Sequence, residues 1–308
     1  MKRVIITGAD GFVGRHLCRE FAADGWQVFA FVRAESCHRE SLNGLANVRP
    51  VVCDYSHMDS LHDSELLEPD AFVHLAWAGV IADERNNFSL QKENIDLSVS
   101  ALRYAIGIGV KKFVLPGSTF EYSQSGKTIS GIDDIPTPQN AYGAAKVAAR
   151  YLCEFLAKQQ HVPFVYTIFS SSYGADRHDR NVIHYVIDSL LRKKSPDLTG
   201  LEQLWDYVHI DDLVRGIVAV CENGRPGKCY PIGHGDNMPL RNYIEIIHQL
   251  IDPALPLGIG RIPYPPGKFP CSCVDMTELT RDTGYVPRID FKDGVAEVIE
   301  AERKFLCL

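Results

Sequence analysis

The stretch RVIITGADGFVG, residues 3–14, decides the fold of this 308-residue chain. A short β-branched apolar run leads directly into three glycines, and apolar residues with helical spacing follow. In a dinucleotide-binding turn, one such glycine allows the tight turn, one lets backbone N–H groups approach a diphosphate, and one lets the helix pack closely on the strand. The strand before and the helix after supply the context that this interpretation requires, and a glycine-rich loop without a ligand is the alternative. The cofactor-binding residues expected here are Gly8, Gly11, Phe12, Val13 and Gly14.

The rest of the chain predicts the fold class. As far as about residue 171, short β-branched runs alternate with segments of helical period, which is typical of βαβ units around a parallel sheet. We therefore predict an α/β fold in which residues 1–171 form a Rossmann-type doubly wound parallel sheet that holds the cofactor and the catalytic residues. Residues 172–308 would form a smaller α/β C-terminal substrate lobe, from which Trp205–Val208 and Lys228–Pro231 could return to the main sheet. The predicted strands are Arg3–Thr7, Gln27–Val32, Val48–Cys53, Ala71–Leu75, Lys112–Leu115 and Phe164–Phe169.

The composition excludes several classes of protein. Acidic residues outnumber basic ones by 39 to 32 and the formal net charge is -7, whereas surfaces that bind nucleic acid or anionic membranes are basic. The apolar run after Lys2-Arg3 is too short for a signal peptide, and no apolar run approaches the ~18 residues of a membrane span. Nine scattered cysteines are typical of reduced thiols, and the spacing of Cys271 and Cys273 is not that of a metal site. We expect a cytoplasmic protein without a metal, nucleic-acid or membrane partner.

The ends of the second and third strands predict which cofactor is bound. An acidic residue about twenty positions past the last glycine would bond a ribose 2′-hydroxyl, but this chain has Val32-Arg33 there. A guanidinium can form two parallel bonds to a 2′-phosphate, so NADP(H) is favoured over NAD(H). The nearby acidic Glu35 weakens the argument for a 2′-phosphate contact. The alternative is that Arg33 is a solvated surface residue. Asp54 and Tyr55, which follow the third strand, are further candidates for cofactor binding. Asp54 either bonds the adenine amino group or caps the following helix.

Small residues follow the fourth strand in the run LAWAG, residues 75–79. They would let a cofactor pass close to the backbone, so Leu75 and Ala76 are candidates for cofactor binding. Trp77 either covers the substrate cavity or packs in the core.

Tyr142 and Lys146 form the main catalytic pattern, because a spacing of four places the phenol and the ammonium on one helix face. A nearby cation favours phenolate and lowers the pKa of a tyrosine from its usual ~10, which makes Tyr142 a usable general acid or base. Ser118, just past the fifth predicted strand, would bring a hydroxyl to the same crevice and bond a carbonyl oxygen. These three residues are the predicted catalytic set.

With these motifs the chain resembles, nearly end to end, the extended short-chain dehydrogenase/reductases, which include nucleotide-sugar epimerases, dehydratases and 4-ketoreductases. The resemblance implies that Tyr142 donates or accepts the proton, that Lys146 lowers the pKa of that tyrosine and holds the nicotinamide ribose, and that Ser118 orients the carbonyl. It implies a cofactor contact at Asn94 and a homodimer formed through a helix bundle, although no apolar stripe in the sequence identifies the interface. The matching motifs are TGADGFVG (7–14), Asp54, HLAW (74–77), Asn94, GSTFEY (117–122), YGAAK (142–146), SYG (172–174) and WDYVHIDDL (205–213).

The segment after Ser118 separates the chemistries of this family. The dehydratases carry an adjacent Asp-Glu pair where this chain has Thr119 and Phe120, and Glu121 would turn to the opposite side of an extended segment. GDP-fucose synthases carry a cysteine where Phe120 stands. Dehydration and double epimerisation thus lack their usual acid, which leaves a 4-ketoreductase and a C4 epimerase. Arg33 favours the reductase. A reductase exchanges its reduced cofactor in each turnover and suits NADPH, whereas an epimerase that keeps NAD bound would have an acidic residue at the ribose.

Three positions depart from the family pattern at contacts to the substrate's diphosphate. Where the family usually has Asn, Arg and Arg, this chain has Ser171, Trp205 and Pro265. We expect a nucleotide-linked 4-keto-6-deoxyhexose as the substrate, with a non-nucleotide ketone and a non-catalytic NADP(H)-sensing protein as alternatives. The substitute cations available are Arg177, Arg180, Arg261 and Lys268. The residues expected to shape the substrate pocket are Trp77, Thr119, Ser171, His178 and Trp205.

Overall fold

The computed structural model describes residues 1–36, 38–122, 126–131, 133–177, 181–264 and 271–307. Four residues considered in the sequence analysis lie outside the described residues: His178, Arg180, Pro265 and Lys268. No helix within these ranges combines the length and the apolar composition that crossing a membrane requires.

The regular elements of the described chain alternate as the sequence predicts in its first half and become shorter in its second half. The strands are β1 (Arg3–Thr7), β2 (Gln27–Val32), β3 (Val48–Val52), β4 (Ala71–His74), β5 (Phe113–Ser118), β6 (Phe164–Phe169), β7 (Ser171–Tyr173), β8 (Asp197–Leu198), β9 (Leu204–Trp205), β10 (Tyr207–His209), β11 (Cys229–Ile232), β12 (Met238–Pro239) and β13 (Gly258–Ile259). The α-helices are α1 (Phe12–Ala23), α2 (Phe88–Gly107), α3 (Ala141–Gln159), α4 (Val182–Leu191), α5 (Ile210–Asn223), α6 (Leu240–Ile251), α7 (Thr277–Thr283) and α8 (Phe291–Phe305).

Seven strands form one parallel sheet in the order β11-β6-β5-β4-β1-β2-β3. Its strands are nearly continuous apolar runs because helices cover both faces. In β1, Val4 and Ile6 join the apolar cluster that includes α1 and α5, whereas Ile5 joins the cluster that includes α2 and α3. All three side chains are fully buried. The predicted doubly wound, Rossmann-type α/β sheet is confirmed.

The order of the strands places a crevice between β1 and β4. From β1 the sheet grows through β2 and β3 in one direction, and from β4 through β5 and β6 in the other. Ligands of such sheets bind at the carboxyl ends of the strands beside this switch point. Two contacts of Thr7 fix the ends of the strands there: Thr7 Oγ1 lies 2.8 Å from His74 Nδ1 and accepts the Ala76 N–H at 3.2 Å.

Two elements from beyond residue 171 pack with the first part of the chain. Strand β11 joins the main sheet by pairing with β6, and helix α5 packs against α1. In contrast, β9 and β10 pair outside that sheet, with β12 and β7. Helices α4, α6 and α8 surround a third apolar cluster that contains Tyr173, Tyr207 and Tyr243. A substrate lobe that begins near residue 172 stays a prediction, and β11 and α5 attach to the first part of the chain.

Candidate active site

The glycine turn after β1 packs so closely on neighbouring backbone that side chains at Gly8 and Gly14 would collide with it. Gly8 has a left-handed φ of +66°, and a Cβ there would lie 2.8 Å from the Ala76 nitrogen. A Cβ on Gly14 would collide with the Gly8 carbonyl oxygen. Within the described chain no side chain caps α1 at Gly11, so the first N–H groups of this helix are available to an anion. This turn fits the diphosphate of a dinucleotide.

Tyr55 and Asp54, which follow β3, both act on local backbone. The Tyr55 hydroxyl accepts the Gly8 N–H at 2.8 Å and donates to the Phe31 carbonyl at 2.7 Å, so it holds the glycine turn against β2. Asp54 caps the next turn by accepting the Ser56 N–H at 3.0 Å. Hydrogen bonds from the side chains of Ser56 and His57 and from that N–H lower the pKa of the exposed Asp54 carboxyl to about 2. The structure therefore contains the capping contact that the sequence offered as the alternative to an adenine contact.

Arg33 is exposed directly after the carboxyl end of β2. Burial raises the pKa of the Tyr55 phenol, and the charge of Arg33 opposes that rise. Arg33 thus lies near the residue that bonds the glycine turn. Glu35 is also exposed two positions further on.

Asn94 and Gln91 of α2 position the loop after β4. The Asn94 amide accepts the Ala78 N–H and donates to the Ala78 carbonyl, each at 2.9 Å. Gln91 Oε1 accepts the Trp77 indole N–H at 3.0 Å, and its amide donates to the Gly79 carbonyl. Asn94 is therefore a positioning residue for the backbone beside Leu75 and Ala76, and Trp77 is held in a fixed orientation.

Ser118, Tyr142 and Lys146 meet at the end of β5. Ser118 is the last residue of this strand, and its side chain hydrogen-bonds the Tyr142 phenol. The Lys146 ammonium donates to the Pro116 carbonyl at 2.9 Å and lies 3.7 Å from the centre of the Trp77 ring. The rings of Trp77 and Phe120 each stand nearly perpendicular to the Tyr142 ring, with 6.0 Å between ring centres. The structure thus brings together the three residues predicted to be catalytic and Trp77.

The protonation of these groups differs from the sequence-based expectation. Burial raises the pKa of Tyr142 to about 12, which outweighs the lowering by the Ser118 hydrogen bond. The expected lowering by Lys146 does not dominate, because Lys146 is itself buried and its own pKa is lowered by that burial. Its ammonium lies 5.9 Å from the centre of the Tyr142 ring and is directed to the Pro116 carbonyl.

Glu121 is a functional candidate that sequence reasoning missed. Residues 119–121 form a 3₁₀ turn rather than an extended segment, and Ser118 and Glu121 cap it reciprocally. The fully buried Glu121 carboxylate accepts the Ser118 N–H at 2.7 Å and the Tyr166 hydroxyl at 2.8 Å. The S-x-x-E spacing of a capping box was the sequence signal that could have located it.

The substrate-side residues fall into two groups. Thr119 Oγ1 accepts the Ser272 hydroxyl at 2.8 Å, and Thr119 directly follows Ser118, one of the predicted catalytic residues. Further away along the chain, the Trp205 indole donates to the Ser171 hydroxyl at 2.8 Å, so two of the positions that depart from the family pattern contact each other. Trp205 also lines a cavity of about 450 Å³. Other lining residues are Asn181, Tyr185, Gln203, Tyr207 and Leu240.

Two of the cations considered as phosphate ligands are engaged with the protein. Arg177 bonds the Ser172 carbonyl and lies 5.3 Å from the centre of the Phe12 ring. Arg261 forms an ion pair with Asp197 at 2.9 Å, at the margin of the cavity.

Comparisons with known proteins agree with this geometry. Residues 4–233 match the family described as the NAD dependent epimerase/dehydratase family. A CDP-abequose synthase from Yersinia pseudotuberculosis is 26% identical over 264 residues, which cover 84% of this chain and 88% of that protein. A probable UDP-glucuronate 4-epimerase from Rhizobium meliloti (strain 1021) is 24% identical, over 97% of this chain and 96% of that protein.

Solved structures show the same fold at lower identity. A UDP-glucuronic acid 4-epimerase from Bacillus cereus, in complex with UDP-glucuronic acid and NAD, superposes with a TM-score of 0.83 at 21% identity, over 98% of this chain and 99% of that one. The dTDP-glucose 4,6-dehydratase DesIV from Streptomyces venezuelae, with NAD bound, gives 0.84 at 22% identity, over 98% and 97%.

Proposed function

The chain belongs to the NAD dependent epimerase/dehydratase family, and from that premise we propose that it is an NADPH-dependent reductase of the 4-keto group of a nucleotide-linked 6-deoxyhexose. The arrangement of Ser118, Tyr142 and Lys146 at the carboxyl end of β5 carries the proposal. A proton donor, a hydroxyl that orients the carbonyl and a cation beside the donor are what carbonyl reduction with a bound nicotinamide requires of the protein.

Each of these residues would have one task. A bound nicotinamide supplies the hydride. Tyr142 would donate its proton to the carbonyl oxygen, and the pKa of about 12 keeps that proton in place at neutral pH. Ser118 would bond the same oxygen while charge develops on it. The Lys146 ammonium, one helical turn from Tyr142, would stabilise the phenolate that remains.

The side chains beside Ser118 support reduction rather than dehydration. Thr119 is bonded to Ser272, and the Phe120 ring packs edge-on against Tyr142. Glu121 is buried behind Ser118. None of these side chains is a carboxylic acid that faces the substrate carbonyl.

The preference for NADPH rests on Arg33. It is exposed at the end of β2, where an acidic residue would bond the 2′-hydroxyl of NAD. A C4 epimerase is the second candidate, because the matched epimerase from Rhizobium meliloti covers almost the whole chain and the Bacillus cereus epimerase structure contains NAD.

We propose a nucleotide-linked sugar as the substrate because the relatives include a CDP-abequose synthase. The hydrogen bond between Trp205 and Ser171 occupies two positions at which the family usually bonds a diphosphate. That observation favours a non-nucleotide ketone as a further alternative.

Assays of NADPH absorbance distinguish the proposed reductase from an epimerase, a reductase of simple ketones and a sensing protein. The purified protein is incubated with CDP-, UDP- and dTDP-linked 4-keto-6-deoxyglucose and with simple ketones, with NADPH or NADH in parallel. We expect one equivalent of NADPH to be consumed for each nucleotide sugar reduced. Interconversion of two sugars without net loss of NADPH would identify an epimerase, and turnover of simple ketones alone would identify a ketone reductase. Binding of NADPH without turnover of any substrate would leave a sensing protein and overturn the proposal.

A further inference from the structure

The carboxyl end of β5 contacts a buried pair of charged groups, of which the proposed chemistry uses Lys146 but not Glu121. Glu121 and Lys146 contact this same short segment: Glu121 accepts the Ser118 N–H at 2.7 Å, and Lys146 donates to the Pro116 carbonyl at 2.9 Å. Glu121 is 0% exposed and Lys146 is 7% exposed. A carboxylate and an ammonium thus flank the strand that presents the catalytic serine.

The absence of a side chain at Gly117 leaves the space that the Glu121 carboxylate occupies. A Cβ on that residue would collide with both Glu121 Oε1 and the Tyr166 hydroxyl. Within the described part of the chain, the other carboxylate oxygen, Oε2, is buried without a hydrogen-bond partner. Burial of an ionised carboxylate is unfavourable unless nearby charges compensate it. The position of Glu121 therefore depends on the cations around it.

Ionisable groups face Glu121 from three packed elements and from its own turn. Arg150 of α3 donates to the Tyr122 hydroxyl at 2.7 Å, and its guanidinium lies 4.8 Å from the centre of the Tyr166 ring. The charges of Lys146 and Arg150 both favour an ionised Glu121. Without that negative charge, Arg150 and Lys146 are two buried like charges. The facing groups are Tyr142, Lys146 and Arg150 of α3, Tyr166 of β6, Cys229 of β11 and Tyr122 of the turn itself.

We propose that Glu121 is a positioning residue for the reduction, which fixes Ser118 at the end of β5 and supplies a buried negative charge at the strand segment that Lys146 also contacts. This inference rests on the proposed function. Burial lowers the pKa of Lys146, and the Glu121 charge opposes that effect. The same charge raises the pKa of the Tyr142 phenol, so it also helps to retain the proton that is transferred.

The proposal has a pH signature. Ketone reduction needs a protonated Tyr142 and a cationic Lys146, and an ionised Glu121 raises the pKa of both. Replacement of Glu121 by Gln preserves the shape and an acceptor oxygen but removes the charge. We expect the alkaline limb of the kcat–pH profile to move to lower pH by about one to three units, the usual effect of a neighbouring charge. Burial raises the pKa of Glu121 to about 7, so the wild type and Glu121→Gln should converge as the pH falls below that value.

Two control variants separate charge from packing. Tyr166→Phe removes one hydrogen bond to Glu121 but leaves its charge, so its alkaline limb should stay in place. Asp212→Asn neutralises another fully buried carboxylate, which bonds backbone N–H groups of residues 288 and 289, and it should not move the limb either. An equal loss of kcat at every pH in Glu121→Gln, with an unmoved limb, would overturn the proposal.

A thermal-unfolding cycle gives a readout that does not depend on turnover. If the two charges interact, the double variant Glu121→Gln/Lys146→Met will have a higher Tm than the sum of the single effects predicts. Additive losses of Tm would show that the charges do not interact and would overturn the proposal. If the wild type reduces no ketone, the proposed function fails, whereas the cycle still reports on this pair.

Discussion

The phenol of Tyr142 has a hydrogen-bonded neighbour in Ser118, and it holds its proton at neutral pH because burial raises its pKa to about 12. We predict that Tyr142→Phe lowers kcat by roughly 10²–10⁴-fold, the usual contribution of general acid catalysis. NADPH affinity should stay unchanged, because the phenyl ring still packs against Trp77 and Phe120. Steady-state kinetics and fluorescence titration with NADPH measure the two quantities, and full activity in this variant would contradict the mechanism.

Arg33 determines the choice of cofactor if its guanidinium bonds a 2′-phosphate. Loss of a hydrogen bond to a charged group costs about 1.5–3 kcal/mol, so Arg33→Ala should weaken NADPH binding roughly tenfold or more. NADH binding should not change, because NADH lacks that phosphate. Glu35→Ala is the matched control, since this exposed neighbour carries the opposite charge. Equal dissociation constants for wild type and Arg33→Ala with both cofactors would show that Arg33 is an ordinary surface residue.

At the scale of elements, His16 joins three parts of the fold. From α1 its imidazole contacts Asp176, after β7, at 2.9 Å and Asp211, in α5, at 3.0 Å. Both ring nitrogens can donate only when the ring is protonated. Burial opposes that charge, but the hydrogen bonds and charges of the two carboxylates outweigh it and raise the pKa of His16 from 6.5 to about 9.

This linkage predicts the pH dependence of stability. The pKa of His16 is higher in the folded chain than in the unfolded one, so its contribution is complete below about pH 6.5 and is lost as the pH rises to about 9. We expect His16→Gln to lower the free energy of unfolding by on the order of 2 kcal/mol at pH 6 and by much less at pH 10. Urea unfolding at the two pH values measures the difference. A penalty that is the same at both values would mean that His16 contributes packing alone.

The elements also show what local sequence could and could not predict. The first strand, the glycine turn and the start of α1 depend on adjacent residues and lie where the sequence predicts. In contrast, β5 extends to Ser118 rather than ending at Leu115, because pairing with β6 continues through Pro116 and Gly117, two residues that are uncommon in strands. Parallel neighbours thus override the local preference of these residues.

Contacts between distant residues were beyond the reach of the sequence. The proximity of Ser118, Tyr142 and Lys146 could be predicted, since Tyr142 and Lys146 are four positions apart and Ser118 follows an apolar run. The hydrogen bond between Trp205 and Ser171 joins two short strands that no local pattern pairs. Carboxylates are rarely buried, so the position of Glu121 was also unexpected.

The first and second halves of the chain share the layers of the fold. α5 and β11 come from the second half of the chain but pack on α1 and β6. The cavity beside Trp205 lies among elements of the third apolar cluster, whereas Ser118 and Tyr142 belong to the main sheet and α3. Binding of a substrate that reaches from Ser118 and Tyr142 to the cavity beside Trp205 would therefore depend on how these two sites are placed relative to each other. The packing of β11 and α5 on the first half of the chain holds that placement.

Helix α3 leaves a large apolar face exposed on the side away from the site. Tyr151, Leu152 and Phe155 are 53%, 52% and 63% exposed, whereas Tyr142 and Lys146 of the same helix are buried. A contiguous exposed apolar face of this kind usually marks an interface between proteins. The family resemblance implies a homodimer through a helix bundle, and we propose that this face of α3 forms it.

A charged substitution tests that interface. Leu152→Glu and Phe155→Glu would each place a carboxylate in the centre of the apolar contact, where burial without a partner is costly. We expect the wild type to elute at twice the chain mass in size-exclusion chromatography with light scattering, and both variants to elute as monomers. Phe305→Glu is the matched control, because Phe305 is 76% exposed near the end of α8 and should leave the mass unchanged. A wild type that is monomeric at micromolar concentration, or a dimer that survives both α3 substitutions, would contradict the proposed interface.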